Sequence, residues 1–214
     1  HLHLNRETAG LSLDGSGGSL HRRGYRAAMG VAPLKENLAA GLIQLSGWDG
    51  SVPLVDPCCG SGVLLIEAAL MALQQAPSLG RNFGLEGWAD FQPELWQEEC
   101  DRAQKRRRGD LNLPPLLGIE QDPLVAEQAR INIAAAGLVG VIEIREGSFT
   151  EHDLPDGPGV LVCNPPYGQR IGEEEELDHL YSALGGFVRQ QASGWQLWLL
   201  SGNPKLTGGL RMKA

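Results

Sequence analysis

Short apolar runs alternate with longer helical segments along most of this chain, and this alternation limits the folds open to it more than any other feature. A short apolar run bounded by Gly, Pro or Asp is typical of a buried strand, whereas apolar residues at every third or fourth position indicate a helix. Repeated strand and helix alternation favours parallel pairing, so we predict an α/β fold: a mostly parallel, doubly wound sheet with helices on both faces. The predicted strands are 52–55, 116–119, 141–144, 159–163 and 195–200, and the predicted helices are 33–46, 63–73, 123–136 and 174–191.

The segment after the first predicted strand is a candidate ligand site, because ligands of such sheets bind beyond the carboxyl ends of the strands. This glycine loop (residues 56–62) runs Asp56-Pro57-Cys58-Cys59-Gly60-Ser61-Gly62. It has neither the Lys-Ser/Thr of a phosphate-binding P-loop nor the three-glycine spacing of a dinucleotide site. Its carboxylate instead suits a ligand with a positively charged end, such as the amino group of S-adenosylmethionine. The predicted cofactor contacts in the loop are Asp56, Cys58, Gly60 and Gly62.

The second predicted strand ends in Glu120-Gln121-Asp122. A carboxylate at this neighbouring strand end can accept two hydrogen bonds from a ribose diol. We predict that Glu120 has that role and that Gln121 lies beside the cofactor. Asp122, directly before Pro123, is predicted to cap the following helix.

The fourth predicted strand is followed by Asn164-Pro165-Pro166-Tyr167-Gly168. Two consecutive prolines end the strand and keep the backbone stiff and extended. The Asn164 side-chain oxygen and the Pro165 carbonyl can accept hydrogen bonds from both hydrogens of an exocyclic amine, and Tyr167 can stack on its base. A plain turn is the alternative, but the position after a strand favours methyl transfer with Asn164, Pro165 and Tyr167 as catalytic residues. Asn164 is also predicted to contact the cofactor.

The net charge of −8 does not indicate a protein that coats nucleic acid through bulk charge. RNA binding therefore requires local basic patches. One candidate comprises Arg22, Arg23 and Arg26, which we predict to contact RNA together with Tyr167. A second, 105–108 (Lys-Arg-Arg-Arg), is as consistent with a solvated surface as with an RNA contact.

The segment 76–115 interrupts the alternation and contains Phe83, Trp88, Phe91 and Trp96. Aromatic residues in such an insertion can stack on RNA, but they more often form a small local core. We therefore predict a local core here.

These motifs resemble the class I methyltransferases that act on planar amino groups. More narrowly, the chain resembles the bacterial 23S rRNA guanine-N2 methyltransferases that carry an N-terminal THUMP domain. The resemblance extends over nearly the whole chain. It rests on the connector 19–26, the first helix 32–38, the glycine loop, the loop 164–168 and the insertion with Gly87-Trp88 and Trp96.

The resemblance implies a Rossmann-like class I methyltransferase fold, S-adenosylmethionine as methyl donor and RNA, preferably rRNA, as substrate. Many relatives hold the adenine amino group with an acidic residue after the third strand, where this chain has Glu146-Gly147-Ser148, so Ser148 would serve instead. The resemblance also implies that residues 1–30 connect to a THUMP-like RNA-binding domain not present in this sequence. Residues 31–214 would be the methyltransferase domain, incomplete at its C-terminus. We further expect a cytoplasmic protein that needs no metal and no membrane.

Similar short motifs occur in other enzymes, which keeps three alternative substrates open: guanine N2 in tRNA, adenine N6 in nucleic acid, and a protein glutamine amide. A module that binds S-adenosylmethionine or RNA without activity is the alternative outside enzymes. Asn164 and Tyr167 argue against it.

Overall fold

The structure is a computed structural model that describes residues 1–27, 34–109, 112–167 and 174–212. It contains an N-terminal two-stranded hairpin and a five-stranded sheet. The hairpin strands are β1 (Leu2–Asn5) and β2 (Thr8–Leu11). The sheet strands are β3 (Leu54–Asp56), β4 (Leu116–Glu120), β5 (Ile142–Glu146), β6 (Val160–Cys163) and β7 (Gln196–Leu199).

The five sheet strands are all parallel and lie in the order β5-β4-β3-β6-β7. The chain builds outward from β3 on one side through β4 and β5, then returns to the other side through β6 and β7. The strand order therefore reverses between β3 and β6, and a ligand crevice is expected outside the carboxyl ends of the strands at that point. The predicted parallel sheet is confirmed.

Helices cover both faces of the sheet, as predicted. Successive residues of one strand point to opposite faces: Leu54 belongs to the apolar core shared with the first two helices, and Val55 to the core beneath the helix that follows β6. The helices are α1 (Glu36–Ser46), α2 (Val63–Ala72), α3 (Pro93–Lys105), α4 (Pro123–Ala135), α5 (Glu174–Gln191) and α6 (Pro204–Gly208).

Helix α1 exists as predicted. The leucines that predict it by recurring every three or four residues, Leu34, Leu38, Leu42 and Leu45, do not all lie on its buried face. Leu38 and Leu45 are exposed, whereas Ala39 and Ile43 are completely buried. Gly47 ends the helix with a left-handed conformation, φ 70°. The predicted start at Pro33 lies outside the described residues.

Residues 15–27 contact distant parts of the chain, whereas the Gly- and Ser-rich composition of residues 11–25 predicts an exposed connector. Arg81 donates hydrogen bonds to the carbonyls of Ser16 and Gly18, and the amide of Leu85 donates to the carbonyl of Gly15. Tyr25, predicted to lie in an exposed segment, is buried in the core. The composition of this segment did not predict the contacts, because its partners lie more than forty residues away in sequence.

The insertion between α2 and β4 forms a small local core, in agreement with the sequence. The rings of Phe83 and Trp96 meet edge to face with centroids 5.1 Å apart, and the Arg81 guanidinium lies over the Phe83 ring. Trp88 lies against Gly15. No described helix is both long and apolar enough to span a bilayer.

Candidate functional site

The polar residues predicted from the sequence meet at the carboxyl edge of the sheet, at the ends of adjacent strands. Asp56 is the last residue of β3, Glu120 the last residue of β4, and Asn164 directly follows β6. Because β4, β3 and β6 are neighbours in this order, the three side chains lie along one continuous edge. The edge coincides with the point where the strand order reverses.

Asp56 is completely buried and lacks a full set of partners. Its Oδ1 accepts a hydrogen bond from the amide of Cys58 at 3.1 Å, whereas its Oδ2 is buried without a partner. Burial raises the pKa of Asp56 to about 8; the bond from Cys58 partly offsets this rise, and the nearby Glu120 adds to it. Such a carboxyl group is poised to bind a cationic group, which would pair with its free oxygen and favour its ionised form.

The glycine loop is held in shape by Glu120. The amide of Gly60 donates to one oxygen of the Glu120 carboxylate at 2.9 Å, and the amide of Asp122 donates to the other at 3.0 Å. Gly60 and Gly62 have positive φ values of 54° and 81°, which only glycine adopts without strain. Space is open beside Gly60, so a ligand can approach the backbone there. Glu120 is therefore both a loop-positioning residue and, through its remaining lone pairs, a possible acceptor for a ribose diol.

Asn164 leaves β6 with its side-chain oxygen buried and without a hydrogen-bond partner. The next residue, Pro165, is buried, while Pro166 and Tyr167 are exposed. A buried acceptor without a donor costs about 1–3 kcal/mol. A ligand that brings N–H groups to Asn164 would remove that cost.

Tyr167 lies against Gly202, a contact that the sequence did not predict. A Cβ at Gly202 would lie 3.0 Å from Tyr167 Cδ2 and 3.1 Å from Cε2, so the ring rests directly on the glycine backbone. Next to it, the Tyr181 hydroxyl and Ser201 Oγ are 3.2 Å apart. Gly202 follows β7 closely, and the rule that ligand sites follow strand ends was the signal that could have identified it.

Three other residues predicted to bind the cofactor are either exposed or already hydrogen-bonded within the protein: Gln121, Ser148 and Cys58. Gln121 is exposed after β4. Ser148 caps the start of a short 3-10 helix (Phe149–Glu151): its hydroxyl accepts a hydrogen bond from the amide of Thr150, and its own amide donates to the Glu151 carboxylate. The amide of Cys58 is already bonded to Asp56. Ser148 and Cys58 would thus have to exchange an existing bond, or add a second one, to hold a ligand.

The three arginines predicted to contact RNA have different environments. Arg22 is exposed. Arg23 lies 3.6 Å from the Glu67 carboxylate and Arg26 lies 3.3 Å from that of Glu36, and all four of these side chains are largely buried. Arg23 and Arg26 thus have carboxylate partners inside the protein, and their contact with RNA stays a prediction.

These residues can hold a ligand that is cationic at one end and rich in N–H groups at the other. The unpartnered oxygens of Asp56 and Asn164 are both acceptors at the ends of adjacent strands. Among the residues that the structure describes, no three His, Cys, Asp or Glu side chains form a group suited to a metal ion. The two unpartnered acceptor oxygens suit a ligand that carries N–H donors.

Comparison with known proteins gives a consistent match. The family model described as "RMKL-like, methyltransferase domain" matches residues 23–214. A curated relative, ribosomal RNA large subunit methyltransferase K/L from Marinomonas sp. (strain MWYL1), is 46% identical over 217 residues. The match covers 96% of this chain and 30% of the relative. The chain thus spans less than a third of that curated protein.

Three solved structures share the fold closely, each covering 94% of this chain and 52% of the other. A proposed methyltransferase complexed with SAH (S-adenosylhomocysteine) is 33% identical, with a TM-score of 0.88. A predicted N6-adenine-specific DNA methylase from Listeria monocytogenes is 35% identical, with a TM-score of 0.87. A possible methylase from Clostridium difficile 630 is 34% identical, with a TM-score of 0.88.

Proposed function

The chain belongs to the family of RMKL-like methyltransferase domains, and from this membership we propose that it transfers a methyl group from S-adenosylmethionine to the exocyclic N2 amine of a guanine in RNA, most specifically in 23S rRNA. The cofactor is consistent with the SAH held by a related structure. The rRNA substrate is supported by the name of the curated relative, of which this chain spans only part. The choice of guanine N2 rests on the resemblance of the motifs.

The observation that carries the proposal is the buried, unpartnered oxygen of Asn164 next to a stiff Pro-Pro segment. An exocyclic amine on a purine is a weak nucleophile, because its lone pair is delocalised into the ring. The Asn164 oxygen and the Pro165 carbonyl each accept a hydrogen bond from one N–H of this amine. This arrangement favours the pyramidal geometry of the nitrogen, in which the lone pair is free to attack. The buried oxygen then gains the donor that it lacks.

Tyr167 holds the base flat beside these acceptors. Its ring is supported from one side by Gly202 and is 38% exposed, which leaves surface for a flipped base to stack. When bound, S-adenosylmethionine supplies the methyl group on a sulfonium centre. A methyl transfer from that cation to a neutral amine spreads charge rather than creating it, so alignment of the amine contributes more than a strong general base.

The cofactor side of the site is assigned to the ends of β3 and β4. Asp56, with its free oxygen, is proposed to bind the amino group of the methionine part, and Glu120 the ribose hydroxyls. The open space at Gly60 lets the ligand lie on the loop backbone. Gln121 and Ser148 remain proposals for the adenine end.

RNA contact is proposed for Arg22 and for a second exposed set, the basic turn (residues 105–108) at the end of α3. All four side chains of this turn are exposed, so its charge faces solvent. Reversing two of its charges, with Arg106→Glu and Arg107→Glu, should weaken RNA binding. The slope of the logarithm of the binding constant against the logarithm of the salt concentration should become shallower by about one for each lost phosphate contact. Arg6→Glu, on the exposed hairpin turn, is the matched control and should leave both unchanged.

The direct test is incubation of the protein with labelled S-adenosylmethionine and, separately, unmodified rRNA, tRNA, DNA and release-factor protein. Label recovered as N2-methylguanosine from rRNA alone supports the proposal, and transfer only to protein refutes it. Asn164→Ala should abolish transfer while cofactor binding is retained within about tenfold. The exposed Asn112→Ala is its control.

Methylation of adenine N6 in DNA is the second candidate. It is favoured by one observation, the description of the 35% identical Listeria structure. The same loop can hold the adenine amine, since both amines are planar and carry two hydrogens. The nucleoside digest separates the two candidates: labelled N6-methyl-2′-deoxyadenosine from DNA would mean that the methyl acceptor is adenine N6 and not guanine N2.

A further inference from the structure

A buried polar cluster outside the proposed reaction centre anchors the connector end (residues 22–27). The Tyr25 hydroxyl donates to the Glu67 carboxylate at 2.9 Å, and Arg23 lies 3.6 Å from the other oxygen of that carboxylate. Tyr25 is 5% exposed and Glu67 2%. Burial raises the pKa of Glu67, and the contacts with Tyr25 and Arg23 partly offset that rise. Glu67 belongs to α2, the helix that begins directly after the glycine loop.

Asn132 on α4 extends this anchoring to the glycine loop itself. Its side-chain oxygen accepts a hydrogen bond from the amide of Ala27 at 3.0 Å, and its side-chain nitrogen donates to the carbonyl of Ser61 at 3.1 Å. The residue is 1% exposed, so water does not compete for these bonds. A single amide group therefore joins the connector end to the loop that is proposed to bind the cofactor.

The bond to Ser61 lies between two loop residues whose backbone conformation requires glycine. Ser61 stands between Gly60 and Gly62, both with positive φ, and the amide of Gly60 is bonded to Glu120. The Asn132 bond restricts the remaining freedom of the Ser61 peptide. A shift of the connector end displaces the Asn132 oxygen that is bonded to Ala27. Because the side-chain amide is planar and rigid, its nitrogen and the bonded Ser61 carbonyl move with it.

We propose that Asn132 is a positioning residue that couples docking of the connector end to cofactor binding in the glycine loop. The inference rests on the proposed function only in taking S-adenosylmethionine as the ligand of the loop. Coupling is reciprocal, so the bound ligand must tighten the connector end by the same factor by which the docked connector end tightens the ligand. An asparagine that only supports the packing of α4 would show no such reciprocity.

Two variants test the coupling from its two ends. Asn132→Asp keeps an acceptor for Ala27 but replaces the donor to Ser61 with a carboxylate oxygen, which repels the carbonyl. Tyr25→Phe keeps the ring in the core and removes the hydroxyl that holds the connector end to Glu67. The exposed Asn112→Asp is a matched control for the chemical change. SAH is the ligand used for every protein, in calorimetry and in hydrogen exchange.

Asn132→Asp should bind SAH on the order of tenfold more weakly, since a buried hydrogen bond is lost. Tyr25→Phe should weaken binding severalfold although its residue is remote from the loop. In the unaltered protein SAH should slow amide exchange across residues 25–27, and this protection should be lost in Asn132→Asp.

Equal protection of residues 25–27 in the unaltered protein and in Asn132→Asp would overturn the coupling, and so would unchanged SAH affinity in Tyr25→Phe. Tyr25→Phe keeps the coupling open to refutation even if Asn132→Asp fails to fold, because unchanged SAH affinity in it contradicts the proposal. The readouts involve no RNA, so a wrong methyl acceptor leaves them intact. If the unaltered protein fails to bind SAH, both this coupling and the proposed function are wrong.

Discussion

The buried carboxyl group of Asp56 should make the stability of the ligand-free protein depend on pH in a way that Asp56→Asn removes. Its pKa is raised from an ordinary value of 3.8 to about 8, because burial removes the charged form from water. Between these two values the folded protein keeps the proton on Asp56, whereas the unfolded chain does not. Asparagine has the shape of the protonated acid and carries no titrating proton.

The sign follows from proton linkage. In this pH window the folded state binds one more proton than the unfolded state, so stability decreases as pH rises and levels off above about pH 8. A difference of one proton corresponds to about 4 kcal/mol between pH 5 and pH 8. The unfolding free energy of Asp56→Asn minus that of the unaltered protein should therefore be larger at pH 8 than at pH 5, by up to that amount. The same change removes the charge proposed to bind the cofactor, so SAH affinity should fall.

Urea denaturation at several pH values, followed by tryptophan fluorescence, measures the effect, since Trp48 is buried in the core. The difference in unfolding free energy between Asp56→Asn and the unaltered protein is plotted against pH. In this difference, the contributions of all titrating groups that the two proteins share cancel. Asp156→Asn, at an exposed position, is the control for the chemical change. A flat line for Asp56→Asn would refute the reasoning, because it would mean that Asp56 ionises normally in the folded protein.

Three further changes test other parts of the structure. Gly202→Ala should lower kcat on the order of tenfold with little change in SAH affinity, because the new methyl group displaces the Tyr167 ring; an unchanged kcat would disconnect Gly202 from the site. Glu120→Ala should weaken SAH binding about tenfold by releasing the glycine loop, as measured by calorimetry, and equal affinity would contradict its assigned role. Ile43→Ala should cost about 2–5 kcal/mol of unfolding free energy in urea, whereas Leu45→Ala on the exposed face should stay within about 0.5 kcal/mol; similar costs would contradict the observed orientation of α1.

The site shows how far a position in the sequence predicts a position in space. Asp56, Glu120 and Asn164 were identified because each follows a predicted strand, and parallel strands bring their carboxyl ends to one edge. Gly202 follows β7 in the same way, but a lone glycine carries no chemical signal without its contact with Tyr167. Asn132 lies in the middle of a helix, and no local pattern distinguishes it from an ordinary polar residue.

The amino-acid sequence by itself determined the five sheet strands and four of the helices in their order along the chain, because apolar periodicity, prolines and glycines act within a few residues of the chain. Helix α5, described from residue 174, ends at the predicted residue 191. Only the tertiary structure decided which faces and charges are buried. Leu38 is exposed while Glu36 is buried beside Arg26, and Ala27 meets Asn132 across 105 residues of sequence. Burial and pairing depend on partners brought together by the whole fold, and the energy of a charge depends on those partners more than on its neighbours in the chain.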